Sequence, residues 1–549
     1  MFSRRNRSDA TSRHEPKRLC SGTGMLYVWN DGVYVPAVED RAMGDFTISI
    51  IEKRPEQFPY CLVLSDVEEG DVLTQPIGAG FSIAHCYREN SLHWLSHMDG
   101  EIHRMGFKFA REGTGASADA AIRVFVEMFN RCTYASMTGT ELDSATMDDS
   151  AFEYVGAAAS TTAQYEDSTE PMYELDLNRE CVRRTGEGNV CFNESENFNR
   201  IVVVREQGDR VQLQAHAYDD VGFERAAPGA IVLNDVPTCD GALIDDTERR
   251  MLMLSIDGNK LREVDLEHGM VVQEFKPSND VNAISYSAHV ARPDPVYTCL
   301  SNKVAFNIDL RMNPRNNVIL EDGKSLSDYA LGSLKKPLAC HATSAEGHLV
   351  IGDSVGDIRL YTGPPGSRRK DGTHNPKTAK TLLSTKFPIV AVDVTANGEY
   401  VVAVCEKFLF FMKTTYDDGR GGNGFTTRMG KDKPTPLMLQ PTPAQLTAMG
   451  GIDKLRFTSG GFDRYKNGED PCITACSGRY LFTWSLEAAK RAAESGHTCL
   501  GMSAVLPNEL IGAAAKVSKK VVYQTDSAIC MAPLVKGNHT VRGERHYWR

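Results

Sequence analysis

Short apolar runs separated by turn-forming residues recur along most of the chain and favour β-strands over helices. In residues 350–361, VIGDSVGDIRLY, one apolar run leads into a turn with Gly and Asp, and the next run alternates polar and apolar residues. Alternation with a period of two is typical of a half-buried strand. A phosphate-binding loop would need a helix and a Lys-Ser or Lys-Thr step after the glycine, and this stretch has neither. We therefore interpret it as a β-hairpin.

The spacing of these runs predicts a seven-bladed, WD40-like β-propeller and a mainly β fold class. The last large apolar residue of each recurring run serves as an anchor, and the anchors are Tyr218, Val264, Ile308, Tyr361, Met412, Trp484 and Met531. Successive anchors lie 44 to 72 residues apart, whereas a WD40 blade has ~40–45 residues in four strands. The three longest intervals contain Gly-, Pro- and Lys-rich insertions at 311–335, 362–380 and 413–450.

The first part of the chain has a different pattern, which predicts a small separate module. Residues 24–36 and 91–110 each contain two strand-like runs around an Asp-Gly turn. A segment with apolar residues at i, i+3 and i+4 follows and predicts an amphipathic helix, with a stripe formed by Ala121, Val124, Phe125, Met128, Phe129 and Cys132. A β-meander closed by one helix is the layout of a pleckstrin-homology-like (PH-like) module, and other small α+β folds share it.

Composition sets the expected domain boundaries. Residues 1–20 are rich in Arg and Ser and predict a disordered basic tail, and residues 139–190 are acidic without periodicity and predict a linker. We expect the PH-like domain over 21–138, the propeller over 191–535 and a C-terminal tail over 536–549.

Charge and cysteine usage narrow the function classes. The net charge is −11, from 61 basic and 72 acidic residues, and this argues against broad nucleic-acid binding, which needs a basic surface. The 14 cysteines are scattered without a CxxC motif or a signal peptide, which indicates a reducing compartment and predicts a cytoplasmic protein. No run approaches the ~18 apolar residues of a membrane span.

Motifs for chemistry point away from catalysis. The sequence has no G-x-S-x-G, HExxH, Walker or kinase signature, so we predict a protein that is not an enzyme and has no catalytic residues, cofactor or metal site. A propeller enzyme with a dispersed active site is the less favoured alternative. It requires a central channel lined by several converging His, Asp or Glu side chains.

Two insertions are the candidate contact surfaces for other proteins. The loop 363–380 is basic and includes Arg368, Arg369 and Lys370, and the Pro-spaced segment 430–443 includes Lys431, Lys433 and Pro434. Such loops suit an acidic peptide or, as an alternative function, an anionic lipid surface that recruits the protein as a peripheral membrane adaptor. A solvated loop, and a segment packed along the side of the propeller, are the corresponding structural interpretations.

The region from about Asn199 to the end resembles the WD40-like C-terminal domain of the vacuolar import and degradation family, in its twenty-seventh-numbered member and the defective-embryo-and-meristems relatives. The resemblance rests on DLEHGMVVQEF (265–275), VIGDSVGDIRLY, PIVAVDVTANGEYVVAVCEKFLFFM (388–412), GKDKPTPLMLQ and CITACSGRYLFTWSL (472–486). The N-terminal WLSHMDGEIH and NRCTYASM are similar to that family's N-terminal domain. The resemblance implies a non-enzymatic cytoplasmic scaffold linked to protein turnover and trafficking. The basic insertion after Tyr361 departs from the family, as does the absence of a clear middle PH domain.

Overall fold

A computed structural model describes most of the chain and divides it into two compact units, of which unit 1 consists of residues 1–152 with 542–549 and unit 2 of residues 153–541. The described residues are 16–30, 33–53, 59–78, 81, 83–86, 89–98, 101–110, 120–138, 142, 172–195, 198–219, 221–225, 229–234, 236, 238–245, 247–277, 280–286, 296–302, 304–311, 337–364, 371–376, 378–385, 387–417, 421–430, 433–441, 443–450, 454–462, 472–495, 499, 501–517 and 520–537. Among them, no helix is long and apolar enough to cross a bilayer.

Unit 1 is one antiparallel sheet covered by a helix. Its strands are β1 (Lys17–Asn30), β2 (Val33–Pro36), β3 (Phe46–Glu52), β4 (Tyr60–Asp66), β5 (Gly70–Pro76), β6 (Ile83–Cys86), β7 (Ser91–Met98) and β8 (Glu101–Phe109), followed by α1 (Ala120–Thr138). Their order is β5-β4-β3-β1-β8-β7-β6, with β2 paired to β1. The two predicted hairpins are confirmed, since Asn30 pairs with Val33 and Met98 with Glu101. That this layout is a PH-like module stays a prediction.

The helix of unit 1 buries a different stripe from the predicted one. Phe125, Phe129 and Cys132 are buried as expected, but the side chain of Val124 is 56% exposed. Ile122 and Val126 are buried in its place and pack in the cluster that contains Phe107 and Trp94 of the sheet. Ala135 belongs to the same buried face of the helix. The predicted stripe was therefore wrong at its first turn by a small rotation about the helix axis.

Unit 2 is a seven-bladed propeller, as predicted. Blades one to four consist of β11 (Asn189–Ser195), β12 (Arg200–Gln207), β13 (Arg210–Ala217) and β14 (Gly229–Leu233); β15 (Gly241–Ile244), β16 (Arg250–Leu254), β17 (Leu261–Asp265) and β18 (Met270–Phe275); β19 (Ala283–Tyr286), β20 (Val296–Leu300) and β21 (Ala305–Asp309); and β22 (Leu338–Thr343), β23 (Leu349–Asp353), β24 (Asp357–Tyr361) and β25 (Thr381–Ser384).

The remaining blades carry the additional elements. Blade five is β26 (Ile389–Val394), β27 (Tyr400–Cys405), β28 (Leu409–Lys413) and β31 (Leu437–Leu439), with the small hairpin β29 (Thr415–Tyr416) and β30 (Gly422–Asn423) inserted before β31; α2 (Pro443–Met449) follows. Blade six is β32 (Ser459–Phe462), β33 (Cys472–Ser477), β34 (Tyr480–Ser485) and β35 (Gly501–Val505), with α3 (Leu486–Ser495) between its last two strands. Blade seven contains β36 (Leu510–Val517), β37 (Lys520–Thr525) and β38 (Ala528–Gly537).

The predicted anchors share one position in the blades. Six of the seven lie on the third strand of a blade, and Tyr218 lies directly after the third strand of blade one. All seven are buried. The repeat inferred from the sequence is therefore the repeat of the third strand.

Blade seven closes the ring with strands from both ends of unit 2. β9 (Met172–Leu175) and β10 (Cys181–Arg184), joined by a short 3-10 turn (Leu177–Arg179), both pair with β38. Cys181 lies opposite Met531, and Leu175 lies opposite Leu534. The propeller sheets thus begin inside 139–190, the segment expected to be a linker, because ring closure requires an N-terminal strand beside the last one.

Candidate interaction surfaces

The strand order defines two faces of the propeller. In an antiparallel blade, the turn between the second and third strands lies at the same end as the connection from the fourth strand into the next blade. We call this end the turn face. The opposite end carries the turns between the first and second strands and the connections between the third and fourth, where the chain leaves blade four after Tyr361 and blade five after Lys413. We call it the insertion face.

Backbone hydrogen bonds between neighbouring blades hold the turn face together. The amide of Phe457, which leads into blade six, donates to the carbonyl of Glu406 in the turn of blade five at 2.8 Å. Val281 N–H donates in the same way to Gly258 O at 2.7 Å. At the ring closure, Asn189 N–H donates to the carbonyl of Asp526 at 3.0 Å. A face built this way presents its side chains from a rigid frame.

Blades five and six give the turn face a basic sector, formed by Lys454, Arg456 and Arg479. All three are exposed. Arg456 N–H donates to Ser477 Oγ at 2.8 Å, which places it beside the turn that carries Arg479. The Arg456 guanidinium lies 3.1 Å from Glu406 and remains 72% exposed, so this ion pair leaves most of its donors facing solvent. Glu509 is the exposed acidic residue of the adjoining connection.

Blades seven, one and two give the same face an acidic sector. Its exposed carboxylates are Glu187, Asp209, Asp240, Asp257, Asp280 and Asp526. Among the described residues of these loops, Arg210 and Lys276 are the exposed basic ones. Hydrogen bonds from Ser255 and Asn259 lower the pKa of Asp257, so this carboxylate keeps its charge near neutral pH. The face therefore has opposite charge on opposite sides.

Of the predicted contact residues, Lys433 and Pro434 are described, and they lie in the connection between the third and fourth strands of blade five, on the insertion face. Arg368, Arg369, Lys370 and Lys431 lie outside the described residues. Lys433 is exposed, and its ammonium donates to the carbonyl of Leu382 on the outermost strand of blade four at 3.0 Å. Pro434 is half-buried. Leu437–Leu439 pairs with β28 as the fourth strand of blade five, so this part of the predicted insertion is blade structure.

The described part of the blade-five insertion packs on blade four. The imidazole of His348 stacks on Phe425 with ring centroids 4.7 Å apart and an angle of 6° between the planes. Thr362 donates to the carbonyl of Phe425 at 2.7 Å, and Thr381 donates to that of Gly424 at 2.9 Å. These contacts make the insertion a brace between two blades, which is the structural interpretation of the segment.

The hairpin at residues 350–361 is confirmed, and its turn contains a buried ion triad. Gly356 has φ of +103°, a conformation that glycine accommodates. Arg359 donates to Asp353 at 2.9 Å and to Asp357 at 3.3 Å, and all three side chains are buried. Asp353 also accepts the amides of Val355 and Asp357. The side chain that accepts the backbone amides of the turn is thus that of Asp353.

A serine and a histidine, Ser285 and His341, lie close together on the innermost strands of blades three and four. Ser285 Oγ lies 2.7 Å from Nε2 of His341, and the same nitrogen lies 3.2 Å from the carbonyl of Thr298. A carbonyl only accepts, and the Ser285 hydroxyl itself donates to the carbonyl of Tyr286 at 3.2 Å. With the proton on Nε2, His341 satisfies the Thr298 carbonyl, and in that tautomer this nitrogen is not a base for Ser285. Burial lowers the pKa of His341 to about 4. This pair is therefore arranged as a structural contact.

Among the described residues, no group of three or more His, Cys, Asp or Glu has the arrangement of a metal site. The basic sector was missed by sequence reasoning because Arg456 and Arg479 are distant in sequence and belong to no motif. Lys454 and Arg456 differ little from other isolated basic residues of the chain. The fold alone brings them together.

The fold and its faces define the class of WD40-like seven-bladed β-propellers. A family model described as "VID27 C-terminal WD40-like domain" matches residues 208–500. This is more than half of the chain, and the protein belongs to that family. The resemblance found in the sequence is confirmed.

Two relatives carry the name vacuolar import and degradation protein 27. The one from Schizosaccharomyces pombe is 30% identical over 245 residues, covering 42% of this chain and 28% of the relative. The one from Saccharomyces cerevisiae is 26% identical over 324 residues, covering 56% of this chain and 38% of the relative. The matches thus span well under half of these relatives. The solved β-propeller domain of Cps50 (Swd1) from Myceliophteria thermophila shares 11% identity with a TM-score of 0.42, covering 66% of this chain and 99% of that one.

Proposed function

We propose that this protein is a non-enzymatic scaffold that binds partner proteins on the turn face of its propeller. The proposal rests on the distribution of charge over the turn face, whose neighbouring blades are joined by backbone hydrogen bonds. The basic sector of Lys454, Arg456 and Arg479 lies on one side of this face and the acidic sector on the other. Charge complementary to that of a partner raises the rate of association and fixes the orientation in which the partner binds. A rigid frame lowers the entropy lost on binding.

The basic sector suits an acidic protein segment. Arg479 and Lys454 are exposed, and Arg456 has one carboxylate neighbour but stays largely accessible. The shared name of the two relatives supports extending the proposal to the turnover and import of proteins. The scattered cysteines of the sequence support proposing a cytoplasmic location. The internal hydrogen bonding of Ser285 and His341 supports the non-enzymatic part.

Affinity purification from the native cell tests the proposal. Wild type is compared with the variant Lys454→Glu, Arg456→Glu and Arg479→Glu, and with a control that reverses three exposed arginines of the insertion face, Arg225, Arg249 and Arg428. The triple change in the basic sector should remove partners that the control retains, and raised salt should weaken their recovery. Equal recovery by both variants would contradict a role for the turn face. A partner set without degradation or trafficking proteins would overturn the extension to turnover alone.

A further inference from the structure

Two connected segments of unit 1 carry exposed apolar side chains. One is the loop of residues 37–45 between β2 and β3, and the other is the turn of residues 67–69 between β4 and β5. Val67 is 73% exposed, Met43 50% and Val38 42%. Single exposed apolar residues are ordinary on a protein surface, but several on adjoining segments indicate an interaction site. We call the surface formed by Val38, Met43 and Val67 the apolar tip.

Backbone hydrogen bonds join the loop to the turn and to the sheet. The amide of Val67 donates to the carbonyl of Asp45 at 3.0 Å, which places Val67 beside the end of the loop, two residues from Met43. The amide of Gly44, whose φ is +109°, donates to the carbonyl of Gly24 on β1 at 3.0 Å. The loop is therefore fixed to the turn on one side and to the sheet on the other.

A buried carboxylate also connects the loop to the turn. Arg41 of the loop donates from Nε and Nη2 to the two carboxylate oxygens of Asp66 at 3.0 and 3.2 Å. The side chain of Asp66 is 2% exposed, and it also accepts the amides of Glu68 and Glu69 at 2.7 and 3.1 Å. Bidentate pairing of an arginine with a carboxylate fixes the geometry of both groups. The apolar tip is thus ordered before a partner arrives, which lowers the entropy lost on binding.

The exposed charges around the apolar tip are acidic. They are the carboxylates of Glu39, Asp40, Glu68, Glu69 and Asp71. Arg41 is the one basic residue in 37–45 and 66–71, and its charge is offset by Asp66 and by Glu68, which lies 2.7 Å away. An apolar centre with a polar rim is the usual anatomy of a protein interface. A rim of this sign repels an anionic membrane and complements Lys and Arg.

We propose that the apolar tip binds a basic segment of a partner protein. Apolar side chains of that segment contact Met43 and Val67, and its flanking Lys or Arg residues pair with the acidic rim. The apolar contacts supply affinity by removing exposed surface from water, and the charges set the rate and the orientation of binding. This surface belongs to unit 1 and prefers the opposite charge from the basic sector of the turn face in unit 2.

Fluorescence anisotropy with model peptides tests the proposal on the full-length protein. The probes are three labelled peptides of equal length: a Leu/Lys peptide that forms an amphipathic helix, a Ser/Lys peptide of the same charge, and a Leu/Glu peptide of the opposite charge. The Leu/Lys peptide should bind about tenfold or more tightly than the other two, because binding needs both apolar contacts and positive charge. A Ser/Lys peptide that bound as tightly would reveal attraction by charge alone and overturn the proposal.

Matched double variants locate the binding. Met43→Ser with Val67→Ser should weaken binding of the Leu/Lys peptide about tenfold. Met270→Ser with Val272→Ser is the control, since it changes a Met that is 57% and a Val that is 55% exposed on β18 of unit 2, and it should leave the affinity unchanged. All four residues are at least half exposed, so both variants should fold. Equal affinities of the two variants for the peptide would contradict the assignment to the apolar tip.

Reversing the rim charge gives a second measurement that leaves the apolar residues in place. Glu39→Lys with Glu69→Lys should weaken the Leu/Lys peptide about threefold or more at low salt, relative to the control Glu187→Lys with Glu509→Lys on unit 2, and salt should reduce the difference. Two other occupants would overturn the proposal. One is phosphatidylserine vesicles, if wild type binds them and the Met43→Ser, Val67→Ser variant does not. The other is a second copy of the chain, if sedimentation shows a wild-type dimer that this variant separates.

Discussion

Two buried polar sites of the propeller differ in whether their polar groups have hydrogen-bond or ion-pair partners. In blade four, Arg359 bridges Asp353 and Asp357, and each group of the triad has partners within one hairpin. The second site is the junction of blades one and seven, where His216 belongs to blade one and Gln524 to blade seven. Both are at least 99% buried, and among the described residues neither ring nitrogen of His216 and neither amide atom of Gln524 has a hydrogen-bond partner.

The difference follows from how the blades are built. Blade four is one continuous stretch, so the charges that meet in its turn are six residues apart or fewer. Blade seven is assembled from both ends of unit 2, and its junction with blade one brings together segments distant in sequence. The partners of the triad come from one local turn. His216 and Gln524 instead come from strands distant in sequence, and each lies opposite an apolar residue of the junction, Ile201 and Ile529 respectively.

The largest expected effect is on the triad. Arg359→Met leaves two buried carboxylates without their cation, and breaking a buried pair in this way costs about 3–5 kcal/mol. Urea denaturation of the full chain measures the loss. Arg210→Met is the matched control, since Arg210 and its partner Asp209 are both exposed, and it should change stability by less than about 0.5 kcal/mol. A loss from Arg359→Met as small as that of the control would show that the triad adds nothing to blade four.

The turn that holds the triad gives the next effect. Gly356→Ala places a side chain at φ of +103°, which should cost about 1–3 kcal/mol in the free energy of unfolding. Gly229→Ala is the control, because its φ is not positive and the added carbon would meet Ala215 at an ordinary 4.0 Å. If both variants were equally stable, the backbone of the turn would not be constrained by its glycine.

The same contrast separates what the sequence predicts from what it does not. The hairpin of blade four was predictable because its turn, its strands and their alternation of polar and apolar residues all lie within twelve consecutive residues. The strand β10 was not, because its four residues have no anchor of their own and their partner, β38, begins at Ala528. Non-local pairing leaves no periodic signal.

The candidate sites show the same limit. Lys433 was predicted as a contact residue from local charge, but its ammonium is bound to the carbonyl of Leu382, which no sequence pattern reveals. Arg456 and Arg479 were missed because the hydrogen bond to Ser477 that brings their segments together is tertiary. Val124 was assigned to the buried helix stripe because spacing alone does not fix which way the helix is rotated.

Acid should weaken the junction of blades seven and one through His216. Burial, with a further contribution from Arg183, lowers the pKa of His216 to about 4. Because the unfolded imidazole takes up its proton near pH 6.5, stability falls as the pH drops from about 6.5 towards 4, by about 1–2 kcal/mol at pH 5 and about 3 kcal/mol at pH 4 for this residue. Denaturation midpoints across that range measure it. His216→Gln should flatten the loss, while His268→Gln should not, because Asp265 raises the pKa of that exposed histidine. Identical acid profiles for wild type and His216→Gln would refute this account.

The smallest expected effect is an increase in stability, and it tests the buried amide of Gln524 directly. A buried amide that lacks partners costs free energy, and Met has nearly the length of Gln without its polar atoms. Gln524→Met should therefore raise the free energy of unfolding by about 1 kcal/mol. Thr525→Val on the same strand is the control, since the Thr525 hydroxyl donates to the carbonyl of Ala528 at 3.4 Å and its loss should not stabilise. Calorimetric melting of both variants decides between the alternatives. If Gln524→Met destabilises, its amide is satisfied in solution, and the junction of blades seven and one is then as well matched in polar contacts as the turn of blade four.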